Sequence, residues 1–571
     1  LNYTQASFVL DSDYKAVTAV DSAKEMEADM VVYSKYNDGP ASSNKIGIEI
    51  MNQGGNAFDA MVATDLALSV CYPNAGNIGG GGFLVYRDKT GQVGSLDFRE
   101  KAPSLAHEKM FLNSKGDVIK NKSIQGGLSV GVPGTVAGLF EVHSKLCTMP
   151  FEDLIQPAID LARDGFVVTE KQAIGLNRYR ADFISLNGQE TFYGRKFNSG
   201  DTIVNLNMAK TLEKIKLFGK DGFYKGKIAD KIIKSIQSSG GIMTLKDLEN
   251  YNAKWRAPLS FEYKNLKIHS MGLPSSGGIC LAQIMAMIAP YDIGQYNPHS
   301  NEAIQLMVES ERRSFSDRSR FLGDPDFNTV QVDLLLNQSY LDKRMSSFSF
   351  LKATASKDLN PGDIFWQESD QTTHYSIVDL EGNAVSVTTT LNASYGSKLF
   401  VEDGGFFLNN EMDDFSIKTG VANMYGLIGG ESNKIAPNKR MLSSMSPTIV
   451  EENGELALIL GSPGGSSIIT SVLQVILNVF EFDMGIKQAV NAPRFHHQWL
   501  PEYIDLEPNT FNSEIIQELT KKGYLIDRNR DRLIGRVDAI RITPNRDIIP
   551  APDPRGDDAE ATIITTQHYF P

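Results

Sequence analysis

Residues 371–392 read QTTHYSIVDLEGNAVSVTTTLN. Two runs rich in β-branched residues flank Glu381-Gly382, a pattern that predicts a tight hairpin. If Leu380 pairs with Asn383, Thr372 stands opposite Leu391, with Thr390 and Asn392 beside it. Five threonines (372, 373, 388, 389 and 390) then gather near the open end of one hairpin. Threonine is an ordinary strand residue, so such clustering has a plain structural explanation. The chemical reading needs a hydroxyl that attacks, and a threonine hydroxyl is a weak nucleophile without an adjacent base. One solution makes the threonine the first residue of a chain, so that its own α-amine takes the proton. That requires a cut immediately before it, and hairpin geometry alone leaves open whether one occurs.

The rest of the chain narrows the setting. Its 571 residues carry 56 Lys and Arg against 69 Asp and Glu, a net charge of −13, which argues against a nucleic-acid partner. With 41% hydrophobic and 22% charged residues the composition is that of a globular protein, not a disordered one. Cys71, Cys147 and Cys280 are far apart and form no CxxC pair; of the eight histidines only His496 and His497 are close neighbours. Neither a disulfide framework nor a metal site is expected. The chain starts at Leu1, and residues 1–30 lack a basic segment followed by an apolar one, so any signal peptide is expected to have been removed already. The charge-free stretch 456–480, LALILGSPGGSSIITSVLQVILNVF, is long enough to span a bilayer, but SPGGSS interrupts it and no basic anchor flanks it. It reads as a buried strand, a glycine turn and a buried helix, with no membrane span expected.

Length alone suggests about three to five domains, yet no Pro-, Ser- or Gly-rich linker, repeat or charge block separates any. A helix over 42–52 stops at Gly54-Gly55, and Asn56 caps a second, nearly all-apolar helix with Asp59 in its first turn. Further helices are expected near 152–163, 207–217, 227–238, 278–289, 301–317 and 468–480. Strands are expected near 83–87, 93–98, 373–378, 384–390, 446–451 and 455–460. The result is a mixed chain whose strands are split between its two ends.

Several segments could carry chemistry. GSPGGS (461–466) runs from a strand through a glycine turn into a helix start, a geometry whose backbone N–H groups form an anion nest; it lacks the lysine of a phosphate-binding loop. NAGNIGGGGF (74–83) lacks the GxGxxG frame and reads as packing glycines. Arg99 ends the expected strand SLDFR and offers a fork for a carboxylate, although an isolated arginine after a strand is ordinarily a surface residue. Glu411 and Asp414, three residues apart, can converge in one turn. Residues 417–431, KTGVANMYGLIGGES, read as a glycine-punctuated surface loop.

Together with FFLNNEMDDFS (406–416), NKRMLSSMSPTIV (438–450) and GSPGGSSIIT (461–470), the hairpin resembles the γ-glutamyltransferases. GGNAFDAMVAT (54–64), LDFRE (96–100), GVPGTVAG (131–138), LARDGF (161–166), PSSGGI (274–279) and LGDPDF (322–327) extend the resemblance from about residue 40 to the end, in the family's order. Those enzymes are N-terminal nucleophile hydrolases, so the resemblance implies an α+β fold, a four-layer αββα sandwich. It implies cleavage between Gln371 and Thr372 into a large subunit 1–371 and a small subunit 372–571, forming one interlocked domain. Thr372 would attack the Gln371 carbonyl first and the γ-glutamyl amide of glutathione afterwards, passing the acyl group to water, an amino acid or a peptide. This explains why no separate Ser-His-Asp arrangement is found. Thr373 would point to the other sheet face, and the α-amine makes a general-base role for His374 unnecessary.

By the same resemblance, Gly464 and Gly465 form the oxyanion hole. Arg99, Ser443 and Ser444 take the substrate α-carboxylate, Asn392, Glu411 and Asp414 hold its α-ammonium, and Thr390 supports the nucleophile. The loop 417–431 becomes a lid with Tyr425 as its latch. No cofactor or metal is implied; the partners are γ-glutamyl compounds and the two subunits of one precursor, in a periplasmic or secreted location. Met441 stands where the family usually has proline, which could alter affinity near Ser443. The rival readings are a glutaryl or cephalosporin-type acylase of the same fold and an uncleaved amino-acid-binding homologue.

Overall fold

The computed structural model describes residues 30–33, 43–359, 372–424, 426–527 and 533–556. Gln371, Tyr425 and nearly all of the segment read for a signal peptide lie outside the described residues.

The architecture follows from the hairpin. Its strands Thr373–Asp379 and Ala384–Thr390 are buried on both faces, so each side must be covered. They sit inside a six-stranded sheet in the order Met30–Tyr33, Thr373–Asp379, Ala384–Thr390, Gly81–Arg87, Val93–Asp97, Lys254–Arg256. A second six-stranded sheet runs Ile548–Ala551, Asp538–Ile542, Glu455–Gly461, Thr448–Glu452, Leu266–Ser270, Leu259–Tyr263. The two sheets face each other: Phe83, Val85 and Val378 of the first share one core with Ile449 and Leu458 of the second. Ser386 ties them together, donating from Oγ to the Leu460 carbonyl (3.0 Å) while accepting from the Thr448 N–H (3.0 Å).

Helices close both outer faces. Ala57–Cys71 is apolar all round and all fifteen of its residues are buried. It starts from the expected cap: Asn56 Oδ1 accepts from the Phe58 and Asp59 N–H groups, and Asp59 Oδ2 accepts from Asn56 N–H. The far side is covered by Gly277–Ile288, Asn301–Phe321 and Ser467–Phe480. The last belongs to the charge-free stretch, which is a strand to Gly461, a turn and then this helix, as read from sequence. Among the described residues, no helix is long and apolar enough to cross a membrane. The structure is the four-layer αββα sandwich, and its sheets explain the missing linker. Each mixes strands from before residue 371 with strands from after it, so no boundary separates two halves.

One expectation is corrected. The hairpin register is Ala384 opposite Val378 through Thr389 opposite Thr373, so the next step sets Thr372 level with Thr390, not Leu391. The loop holds three residues rather than two. Asp379 N–H donates to the Asn383 carbonyl (3.0 Å), and the Asp379 carboxylate accepts from Asn383 N–H (3.0 Å) and Nδ2 (2.8 Å). Gly382 takes the left-handed conformation (φ 87°) that such a three-residue turn requires. A one-residue slip exchanges faces, so this turn decides which side chains stand beside Thr372. Several outer strands, the edges 254–256, 259–263 and 548–551 and their neighbours 266–270 and 538–542, were not foreseen. Pairing against the buried centre recruits them, not their own pattern.

Candidate active site

The odd-numbered residues of the nucleophile strand face the helices: Tyr375 and Ile377 lie in that core, and the Tyr375 hydroxyl donates to Asp65 (2.7 Å). The even-numbered ones, Thr372, His374 and Ser376, therefore face the second sheet. His374 is locked between the sheets by Thr388 Oγ1 (3.0 Å) and Ser376 Oγ (3.1 Å). Thr390 accepts at Oγ1 from the Asn392 N–H (2.7 Å), which turns the chain at Asn392 (φ 73°), a conformation asparagine tolerates. The glycines beside this strand are packing glycines, as read: a Cβ at Gly80 would lie 2.0 Å from the Thr390 carbonyl oxygen, and one at Gly82 would lie 2.4 Å from that of Thr388.

At the open end of the hairpin lies a cleft that brings together most of the residues selected from sequence. Thr372, Thr390, Asn392 and Gly465 line it, as do Arg99, Glu411 and Asp414, and Ser443 and Ser444. Leu427 of the 417–431 loop, Met445 and Ile468 supply apolar walls. Gly464 precedes Gly465 in the turn and is not itself part of the lining. Its φ of 132° and the 2.7 Å from a hypothetical Cβ to Ser467 Oγ both require glycine. Neither Gly464 nor Gly465 N–H donates to another described residue, so both amides remain available to an oxyanion.

Arg99 is fully buried, and its guanidinium forks between Glu411 and Asp414, which converge from a single 3-10 turn, Glu411–Asp414. Glu100 lies 3.7 Å away, with neither carboxyl oxygen hydrogen-bonded among the described residues. Burial pushes the Glu411 carboxyl well above the usual carboxylate range and raises Asp414 too, while Arg99 pulls both down. The same balance leaves Glu100 at about 8. Burial also opposes the Arg99 charge, but Glu411, Asp414 and Glu100 outweigh it and hold its pKa above the ordinary arginine value. The cleft thus holds an internal ion cluster whose two signs match the two ends of an α-amino acid.

Residues not singled out from the sequence hold this cluster in place. Asn409 Oδ1 accepts from Glu411 N–H (3.0 Å) and Gly131 N–H (2.9 Å), and its Nδ2 donates to the Gly79 carbonyl (2.9 Å). Asn410 accepts from Ala393 N–H (2.9 Å), and its carbonyl accepts from Asn392 Nδ2 (3.0 Å). The Asn-Asn pair before Glu411 was the available signal. Ser443 is braced by PSSGGI: its N–H donates to the Pro274 carbonyl (2.9 Å), and its carbonyl accepts from Ser276 N–H (2.8 Å) and Oγ (2.6 Å). Met441, at the usual proline position, is buried, and its carbonyl accepts weakly from Arg99 Nε (3.5 Å). The 417–431 loop docks on the acidic turn, Asn423 Nδ2 donating to Asp414 (3.0 Å) and Met424 N–H to Asp413 (2.8 Å).

Comparison with known proteins agrees with this geometry. A sequence model of the Gamma-glutamyltranspeptidase family matches residues 43–563. A glutathione hydrolase proenzyme of Escherichia coli K12 is 43% identical over 522 residues, covering 91% of this chain and 90% of that protein. A Helicobacter pylori gamma-glutamyltranspeptidase structure aligns at TM-score 0.56 and 38% identity, covering 60% of this chain and 97% of that one. A Bacillus halodurans cephalosporin acylase aligns at TM-score 0.81 over 98% of this chain and 100% of that one, but its 23% identity speaks to the fold alone. On the match over residues 43–563 and on relatives of such identity, the chain belongs to the γ-glutamyltranspeptidase family.

Proposed function

We propose that the protein is a self-processing γ-glutamyltransferase and glutathione hydrolase in which Thr372 is the nucleophile and no cofactor takes part. The observation that carries this reading is one cleft holding Thr372, Gly465 of the glycine turn and an ion cluster suited to a zwitterion. The printed name of the E. coli relative supports the substrate class.

In the precursor, the Thr372 hydroxyl attacks the Gln371 carbonyl carbon. The peptide C–N bond breaks as the ester forms, and water hydrolyses that ester, leaving fragments 1–371 and 372–571. The freed α-amine then accepts the Thr372 hydroxyl proton as its oxygen attacks the γ-glutamyl carbonyl. Gly464 and Gly465 N–H groups stabilise the tetrahedral oxyanion; one such donor is worth roughly 10²–10³ in rate. The leaving amine departs with the proton, and water or an acceptor amine resolves the glutamyl ester. Arg99, Ser443 and Ser444 hold the α-carboxylate, while Glu411, Asp414 and Asn392 hold the α-ammonium. The substrate's two charges replace contacts that the cluster makes with itself. Thr390, level with Thr372, steadies the nucleophile; the 417–431 loop, which contributes Leu427 to the cleft, covers the glutamyl site. A periplasmic or secreted location fits the reading as a proenzyme.

Electrophoresis of the purified protein tests the cut: two unequal fragments are expected, the smaller beginning TTHYS. Rates on γ-glutamyl-p-nitroanilide and glutaryl-7-aminocephalosporanic acid test the substrate, and preference for the glutaryl compound would overturn the assignment.

The raised carboxyls give a pH prediction. Holding an ammonium requires Glu411 and Asp414 to be ionised, and a raised pKa keeps a carboxyl protonated to higher pH. KM for the γ-glutamyl anilide is therefore expected to rise as pH falls through a point above the ordinary carboxylate value of about 4. Glu411→Gln should move that acid limb downward. An unchanged limb in KM measured from about pH 4 to about pH 8 would remove these carboxyls from the role.

A further inference from the structure

Arg318 also lines the cleft, in the last turn of Asn301–Phe321. That helix buries charged residues on several sides, and Arg318 itself is 4% exposed. Its Nε donates to Ser276 Oγ (2.8 Å) and its Nη2 to Ser444 Oγ (3.1 Å). No carboxylate of a described residue lies within ion-pair distance of it, and burial lowers its pKa, opposed only by Cys280 and the more distant Asp414. A buried guanidinium without a counter-ion is costly unless the site later receives an anion. Arg99 differs, because Glu411 and Asp414 already neutralise it.

The hydroxyl geometry points the same way. A guanidinium only donates, so Ser444 Oγ must accept from Arg318, and its own proton is left to give to a ligand. Ser443 Oγ likewise accepts from Met445 N–H (3.1 Å). Both hydroxyls line the cleft with a proton left to donate, beside a cation that has no close counter-ion among the described residues.

We propose that Arg318 is a substrate-binding residue that adds a second positive charge for the α-carboxylate beside that of Arg99 and orients the Ser444 hydroxyl toward it. The assignment rests on the γ-glutamyl reading above.

The test compares γ-glutamyl-p-nitroanilide with 4-aminobutyryl-p-nitroanilide, which keeps the ammonium and lacks the carboxylate. In Arg318→Gln, kcat/KM on the γ-glutamyl anilide is expected to fall roughly 100-fold, chiefly through KM. On the 4-aminobutyryl anilide it should change by less than about threefold. Arg318→Lys, which keeps charge but not the fork, should recover part of the loss. Fragments of the expected size show that each variant has folded and matured. Should Arg318→Gln fail to mature, Ser276→Ala is measured instead and must show the same selective rise in KM, to a lesser degree. A purely structural brace would weaken both substrates equally, and that result overturns the assignment, as does an unchanged selectivity ratio. If the unaltered enzyme does not discriminate between the two anilides, the zwitterion reading itself fails instead.

Discussion

Thr372→Ala is expected to leave the 571-residue chain as a single band and to abolish γ-glutamyl turnover. One hydroxyl is used twice, first on its own peptide bond and then on substrate, so its removal eliminates both steps. Loss of a covalent nucleophile costs on the order of 10⁴–10⁶ in rate, with only binding and the oxyanion donors remaining. The neighbouring residue provides the control. Thr373 lies one step along the strand, on the helix-facing side, buried and away from the cleft lining. Thr373→Ala should still yield two fragments and keep turnover within about tenfold of the parent. Electrophoresis after long incubation, with the anilide assay, separates these outcomes. If Thr372→Ala matures normally, the nucleophile lies elsewhere.

Arg99→Gln should have the second largest effect, and it should separate binding from maturation. The change removes a buried guanidinium from the middle of Glu411, Asp414 and Glu100. Three carboxyls cannot all stay ionised there without a cation, so protons must neutralise them. The ammonium site then loses negative charge together with the arginine. Breaking a buried pair of this kind costs about 3–5 kcal/mol, which corresponds to a KM increase of at least 10²-fold if most of it appears in substrate binding. Self-cleavage should persist, because the Gln371–Thr372 peptide does not use the zwitterion site. Arg99→Lys should be intermediate, since an ammonium cannot fork between Glu411 and Asp414. KM and kcat of the matured variants decide the matter; an unchanged KM would take Arg99 out of substrate binding.

Much of the fold was legible locally. Asn56 and Asp59 announce a helix start because their side chains satisfy amides only two or three residues away. The stretch 456–480 reads correctly because SPGGSS cannot continue a helix and the apolar runs beside it must be buried. The hairpin itself was legible from its β-rich runs, but its register was not. The choice between a two- and a three-residue loop depends on the Asp379 carboxylate, which caps Asn383 and also accepts from Ala57 N–H (3.0 Å), 322 residues away. The outer strands stayed hidden because the partner's pairing, not their own periodicity, makes them strands.

For the site, sequence alone determined which groups exist: a threonine after a glutamine, a glycine turn before a helix, a lone arginine after a strand, and two acids one turn apart. Resemblance lent them roles. Their convergence was decided by tertiary structure, which stacks two sheets built from both ends of the chain and so brings Arg99 and Glu411, 312 residues apart, into one buried ion cluster. Arg318 shows the limit most clearly. In sequence it is one more charge in ERRSFSDRSR, indistinguishable from an exposed helix face. Only packing shows that it is buried, that Ser276 and Ser444 are its partners, and that its charge has no close counter-ion among the described residues. Local patterns report hydrogen bonds and burial within a few residues. Electrostatic pairing in a buried cleft is a long-range property, set by which side chains share the same low-dielectric space.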